Sequence, residues 1–280
     1  MENIPVIILN WNGLDDTMEC IESVLKQDYP NFTIYLVDNG SEPEEYIKLT
    51  EKYSNNPRII LQKNDTNLGF TIAHNQLFDQ LKNSHNEFIA LINNDAIADQ
   101  EWLKNALTRA QKENADMVAC LMLDYYNRQT IDSAGLFLLS SGEILPLGHN
   151  LPINRLPQQK AKPIAACGGA CLYRLSMLNE IGTFDPYFST GYEDAELGLR
   201  AFLAGKKIEF EPTSIVYHKM SRSVSKVFNR NKAQKIQEDI YYTYLKLTPA
   251  GVIFINALFN IPRWFIVMTI HLITLRFRFL

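Results

Sequence analysis

The chain has 280 residues, 46% of them hydrophobic and 21% charged, a globular composition with room for one large α/β core and an appendage. Its 27 basic and 31 acidic side chains leave a net charge of −4, which argues against general nucleic-acid binding. The four cysteines, Cys20, Cys120, Cys167 and Cys171, lack zinc-type pairing and read as buried free thiols of a reducing compartment. The start, MENIPVIILN, passes into apolar sequence without a basic region, so no signal peptide is expected.

In chain order, Val6–Leu9 is an unbroken apolar run, as in a strand covered on both faces. Met18, Ile21 and Leu25 recur at helical spacing after Asp15 and Asp16, which suit a helix start. Thr33–Val37, Arg58–Leu61 and Phe88–Ile92 predict further strands, and Glu44–Tyr53 and Phe70–Leu81 predict the helices between them. This alternation implies right-handed crossovers and a mostly parallel sheet flanked by helices. Trp102–Ala110 reads as a helix and Met117–Leu123 as a strand. Ile131–Leu147 suggests a hairpin, and Asn150–Pro163, with three prolines, a mobile loop that is either a lid or plain surface.

Each early strand runs into polar or glycine residues: Asn10 and Asn12, then Asp38, Asn39 and Gly40, then Asn67 and Gly69, then Asn93, Asn94 and Asp95. In a parallel sheet these ends share one rim, where ligands gather. Any one cluster also reads as an ordinary turn. Four on one rim point to a bound nucleotide, with Asp95 a hard oxygen donor suited to Mg²⁺ or Mn²⁺. Neither GxGxxG after the first strand nor GxxxxGK[ST] occurs, which excludes the usual dinucleotide and P-loop sites.

A second block runs from Cys167 to Met220. Gly168 and Gly169 allow close approach of a ligand or of another backbone. Glu193–Ala201 reads as a helix start. Asp194, Leu197 and Ala201 fall on one face there, so Asp194 points inward at a helix end that favours an ionised carboxylate. Such a carboxylate suits a general base, or simply caps the helix.

In this order and spacing, VIILNWN at 6–12, YLVDNGS at 35–41, NLGF at 67–70, LINND at 91–95, GACLYR at 169–174, IGTFDP at 181–186, YEDAELGLR at 192–200 and VYH at 216–218 resemble the inverting glycosyltransferases of family 2. The pattern is most similar to the rhamnosyltransferase-like branch, over roughly residues 4–222. The resemblance implies the A-type glycosyltransferase fold over 1–228 and a helical tail over 229–280. It implies a donor such as dTDP-rhamnose or a UDP-sugar, and a glycan or lipid-linked glycan acceptor in cell-surface polysaccharide synthesis. It assigns Asp194 as catalytic base with Glu193 in support, and Asn10, Asp38, Asn67 and Gly69 to the nucleoside; Asn12, Asn39, Asn93 and Asn94 on the same rim join the nucleotide-sugar site, and Arg222, in the basic run after His218, either steadies the diphosphate or belongs to a solvated face. Gly168, Gly169 and Tyr192 go to the acceptor, and Asp95 and His218 to a divalent metal. Asn93 stands where the family's Asp-x-Asp motif has its first aspartate, leaving one carboxylate for the ion.

Rival readings fare less well. A glycoside hydrolase needs two carboxyls flanking the bond, and adjacent Glu193 and Asp194 diverge by about 100° on a helix. A sugar-nucleotide pyrophosphorylase needs a basic glycine-rich loop after the first strand, and Asn10–Asp16 has no basic residue. A non-catalytic sugar-binding domain stays open at this level. After Asp239 no acidic residue follows, and the apolar stretch Pro249–Leu275 is interrupted by Asn256, Asn260, Pro262, Arg263 and His271. It predicts an interfacial helix pair on the inner face of the cell membrane rather than a spanning helix, with a core-packed or dimer-forming helix as the alternative.

Overall fold

The computed structural model describes residues 2–139, 143–156, 162–188, 191–219 and 230–247. The chain divides into two compact units, Met1–Ile236 and Gln237–Leu280, a boundary slightly beyond the expected 228/229. Arg222 and the apolar stretch 249–275 lie outside the described residues, and with them the expected membrane contact. Among the described residues no helix is long and apolar enough to cross a membrane.

The first unit is built on β1 (Ile4–Asn10), β2 (Phe32–Asn39), β3 (Ile59–Asn64) and β4 (Phe88–Ile92), joined by α1 (Leu14–Leu25), α2 (Pro43–Tyr53) and α3 (Gly69–Leu81). All pairs among these four strands are parallel, in the order β3-β2-β1-β4. They follow the expected crossover pattern. Beyond β4 the sheet becomes mixed. β10 (Ala170–Arg174) enters antiparallel between β4 and β6 (Met117–Asp124). β11 (Ile208–His218) then runs parallel to β6, and the short β5 (Ala96–Ala98) closes the edge antiparallel to β11.

Strand residues alternate between two apolar layers. Val6, Ile8, Ala90 and Ile92 face α1, α2 and α4 (Trp102–Glu113). Ile7, Ile89 and Leu91 face α3, α5 (Leu175–Ile181) and α6 (Glu193–Leu203). Coverage on both sides explains why β1 and β4 read as continuous apolar runs rather than as alternating ones. In α1 the buried residues Thr17, Cys20, Ile21 and Val24 follow the helical period, and Asp15 and Asp16 complement its N-terminus.

Three details depart from the sequence reading. The segment after Asp95, to which the sequence reading assigns no element, contains β5. It is too short to carry a period and forms because β11 offers it a partner. Ile131–Leu147 is not one hairpin: β7 (Ile131–Ser133) pairs back onto β6, and only β8 (Leu136–Leu138) and β9 (Ile144–Pro146) form a hairpin. The loop at 150–163 includes a 3₁₀ turn at Ile153–Arg155 and bridges from Pro152 to Thr130, so its described part is tied down. The last described element is α7 (Arg230–Leu247).

These registers gather chemistry on one rim. The carboxyl ends of β1, β2, β3, β4, β6 and β11 point the same way. Antiparallel β10 presents its start, Gly168–Gly169, at that same rim.

Candidate active site

At the β1–β2 end of the rim, Asn10 and Asp38 are fully buried beneath the surface. Asn10 Nδ2 donates to Asp38 Oδ1 at 2.8 Å, to Ser41 Oγ at 3.0 Å and to Glu45 Oε2 at 3.3 Å. Its Oδ1 accepts from Thr17 Oγ1, which in turn accepts from Asn94 Nδ2. A chain of side chains thus runs from β4 through α1 and β1 to β2. It fixes the orientation of the Asp38 carboxylate and leaves Asn10 in a supporting position. Asn12 adopts a left-handed backbone, and its Oδ1 accepts the Glu42 N–H.

Asn39 is a second hub. Its amide donates to Asn67 Oδ1 and toward Gly69 O, and its Oδ1 accepts from Asn64 Nδ2 and the Leu68 N–H. Asn67 Oδ1 also accepts the Gly69 N–H, bending the chain into α3. Against this turn lies Gly40, at φ +76° with a Cβ position 2.3 Å from the Thr66 carbonyl carbon. Alanine at Gly40 meets a left-handed backbone penalty of roughly 1–2 kcal/mol and a backbone clash besides. Gly40→Ala is expected to weaken binding of a nucleoside diphosphate at this rim by about tenfold or more, read by calorimetry with UDP, dTDP and GDP. Unchanged affinity would detach this turn from the nucleotide.

The Asn93-Asn94-Asp95 turn leaves β4 toward β5, closed by the Ala96 N–H on Asn93 O. Asp95 is buried, and its Oδ1 lies 3.1 Å from His218 Nε2. On the other side of the ring, His218 Nδ1 lies 2.8 Å from Oδ2 of Asp132 on β7. Burial works against charge on this ring, but hydrogen bonds and charges from Asp132 and Asp95 outweigh it and raise its pKa to about 10. Asp132 was not singled out from the sequence, because IDSAG carries no local signal for it. Lys219 follows: its N–H donates to Asp95 O, and its Nζ donates to Asp16 and Glu19 at 2.6 and 2.5 Å. Asp15 and Asp16 read as helix-end acids in the sequence; Asp16 is also this anchor.

On the β10 side of the rim, Asp194 lies in the first turn of α6, behind Gly191 and Tyr192 with positive φ. Its Oδ2 accepts the Gly168 N–H and its Oδ1 the Ala195 N–H, both at 2.8 Å. Desolvation raises its pKa above the ordinary aspartate value, and those two N–H groups with the Cys167 thiol pull the other way. Glu193 is buried beside it. Tyr192 OH accepts from the Ile144 N–H, so it holds the β8–β9 hairpin. Arg200 bonds Glu196 and the carbonyls of Ile181, Gly182 and Thr183, locking α6 to the turn after α5.

One dipeptide joins the two acids. Gly168 donates to Asp194, while the next residue, Gly169, accepts the Asn93 N–H at 2.9 Å. A Cβ on Gly169 would lie 2.6 Å from Met122 Cε and 3.4 Å from Asn93 Nδ2. The glycines therefore serve the close approach of backbone and side chains at the junction. The segments bearing Asp95 and Asp194 dock on neighbouring residues, not on opposite sides of the fold.

A sequence profile described as "Glycosyl transferase family 2" matches residues 6–182. The chain belongs to this family. The matched span holds β2, β3, β4 and most of β1 together with Asp95, and ends before Asp194 and His218. The O-antigen biosynthesis protein RfbC of Myxococcus xanthus is 26% identical over 216 residues, covering 72% of this chain and 16% of that protein. The glycosyltransferase GlyG of Streptococcus pneumoniae is 24% identical over 255 residues, covering 85% of this chain and 78% of its own length. Among solved structures, GalNAc-T7 with UDP, GalNAc and Mn²⁺ superposes with TM-score 0.64 at 18% identity, over 78% of this chain and 44% of that one. S. aureus TarS 1–349 superposes with TM-score 0.58 at 19% identity, over 89% and 73%. These two likenesses are of fold, and they agree with the A-type glycosyltransferase architecture expected from the sequence.

Asp95 and His218 offer one carboxylate and one imidazole, donor types that divalent ions take once the ring has lost its Nε2 proton. One carboxylate oxygen and one imidazole nitrogen stand 3.1 Å apart, and the second imidazole nitrogen is held by a carboxylate. That arrangement is the usual support for a metal-binding histidine. Among the described residues no three His, Cys, Asp or Glu side chains form a cage by themselves.

Proposed function

We propose that this glycosyltransferase moves a sugar from a nucleoside-diphosphate donor to a hydroxyl of a glycan or lipid-linked glycan, with inversion, during polysaccharide assembly. The observation that carries this reading is the Gly168–Gly169 junction, which ties the Asp194 carboxylate and the Asn93–Asp95 turn to adjacent residues. The names of RfbC and GlyG support the polysaccharide context and the enzyme class, respectively.

In this mechanism Asp38 and the Asn39–Asn67–Gly69 turn receive the nucleoside, and Asn93 and Asn94 line the path to the diphosphate. Asp95 and His218 would hold Mg²⁺ or Mn²⁺, which supplies positive charge against the departing diphosphate. An acceptor hydroxyl is a weak nucleophile until its proton is drawn off. Asp194 takes that proton on its carboxylate while Gly168 and Ala195 N–H groups hold it in place. Attack comes from the face opposite the diphosphate, so the anomeric configuration inverts. Gly168, Gly169 and Tyr192 border the space left for the acceptor.

A panel of UDP-, dTDP- and GDP-sugars, scored for binding and slow hydrolysis with and without Mn²⁺, tests the reading. One nucleotide should stand out, and Asp95→Ala should lose roughly 10²-fold or more in hydrolysis of that donor. Equal turnover by Asp95→Ala would remove the ion from the mechanism.

A further inference from the structure

β7 is a three-residue strand off the main path of the sheet, and its middle residue is a buried aspartate. A buried carboxylate is costly unless it is paired. Asp132 pairs twice in the sequence of contacts that matters here. Its Oδ2 meets His218 Nδ1 at 2.8 Å and its Oδ1 lies 3.4 Å from His149 Nδ1, whose N–H donates to the Asp132 backbone oxygen at 2.9 Å. The two nitrogens of an imidazole point away from each other. Asp132 therefore stands across the ring from Asp95, where it controls the ring without reaching the ion that Asp95 and Nε2 would share.

We propose that Asp132 is the positioning residue of the metal centre. By accepting Nδ1–H it fixes the ring plane of His218 and turns Nε2 toward Asp95. β7 exists at this place in the sheet to deliver that carboxylate: its register on β6 pairs Ile131 with Leu123 and Ser133 with Met122, so Asp132 falls beside the β6 and β11 ends. The two residues are 86 apart in sequence, and only the folded sheet brings them together. The inference rests on Asp95 and His218 holding the ion.

Mn²⁺ binding alone tests it, followed by the loss of the free-ion EPR signal at fixed pH, with no donor and no turnover. Wild type, Asp132→Ala, Asp132→Asn and His218→Ala are compared, and the melting temperature of each is recorded. Asp132→Ala should weaken Mn²⁺ binding about 10- to 100-fold, the usual cost of removing such a support. Asp132→Asn should stay within about threefold of wild type, because its amide oxygen accepts the same Nδ1–H. His218→Ala should bind at least as weakly as Asp132→Ala. Wild-type affinity in Asp132→Ala, with weak binding in His218→Ala, would overturn the positioning role and leave the metal centre standing. Wild-type affinity in His218→Ala would overturn the metal centre itself. Should the alanine variant fail to fold, the asparagine variant decides alone: affinity as poor as that of His218→Ala contradicts positioning by a hydrogen bond.

Discussion

Asp194→Asn is expected to lower the turnover number roughly 10³-fold, the usual range for losing a general base, while the nucleoside diphosphate selected by the donor panel binds the variant as it binds wild type. The separation follows from position. Asp194 touches Gly168, Ala195 and Cys167 at the start of α6, and none of the Asn10, Asn39 or Asn67 contacts depends on it. The pH profile gives the sign. Burial favours the neutral carboxyl, so the folded pKa lies above the ordinary aspartate value and the proton leaves at higher pH. Wild-type turnover should therefore rise as pH climbs through a value above the usual aspartate range. The residual rate of Asp194→Asn should lack that limb. A variant with full activity, or with the same acid limb, would remove Asp194 as the base.

Gly198→Ala is the second large effect, and it acts on stability. Gly198 lies on α6, one turn after Asp194, where a Cβ would stand 1.9 Å from Ala165 Cβ and 2.6 Å from Ala165 Cα. Ala165 cannot move aside cheaply. Ile164 and Ala165 are bonded on both sides to Leu136, and Ala165 packs with Leu136, Ile144 and Ala195 in one apolar cluster. Overpacking of this kind costs about 3 kcal/mol or more when backbone must yield. For a chain of this size the melting temperature should fall by on the order of 10 °C. Relief by shifting α6 would carry Asp194 off the Gly168 N–H, so surviving Gly198→Ala protein should lose turnover as well. A melting temperature within a degree of wild type would mean that α6 does not press on Ala165.

The parallel half of the fold was legible because strands covered on both faces leave unbroken apolar runs, as in Val6–Leu9 and Phe88–Ile92. The polar ends of those strands were legible for the same reason: the runs stop abruptly. The direction of β10 was not, since an apolar pentapeptide reads the same either way. β5 and β7 have three residues each, too few to show a period, and they form because β11 and β6 offer them edges. The site was half visible. Asp95, Asp194 and His218 stood out by local pattern and by family resemblance. The Thr17–Asn10–Asp38 chain, the Lys219 anchor on Asp16 and Glu19, and Asp132 depend on contacts between residues far apart in sequence. Nothing next to them in the chain announces them. All four cysteines are free; Cys20, Cys120 and Cys171 are buried as expected, while Cys167 is only partly buried.

The most direct measurement is a crystal structure of the Asp194→Asn variant with Mn²⁺ and the donor selected by the panel. Mn²⁺ should lie on Asp95 and His218, beside the diphosphate, with the anomeric carbon between that diphosphate and the residue at 194. The side chain at 194 should face the carbon from the side away from the leaving group. A diphosphate bound elsewhere, or residue 194 on the same side of the sugar as the diphosphate, would contradict it.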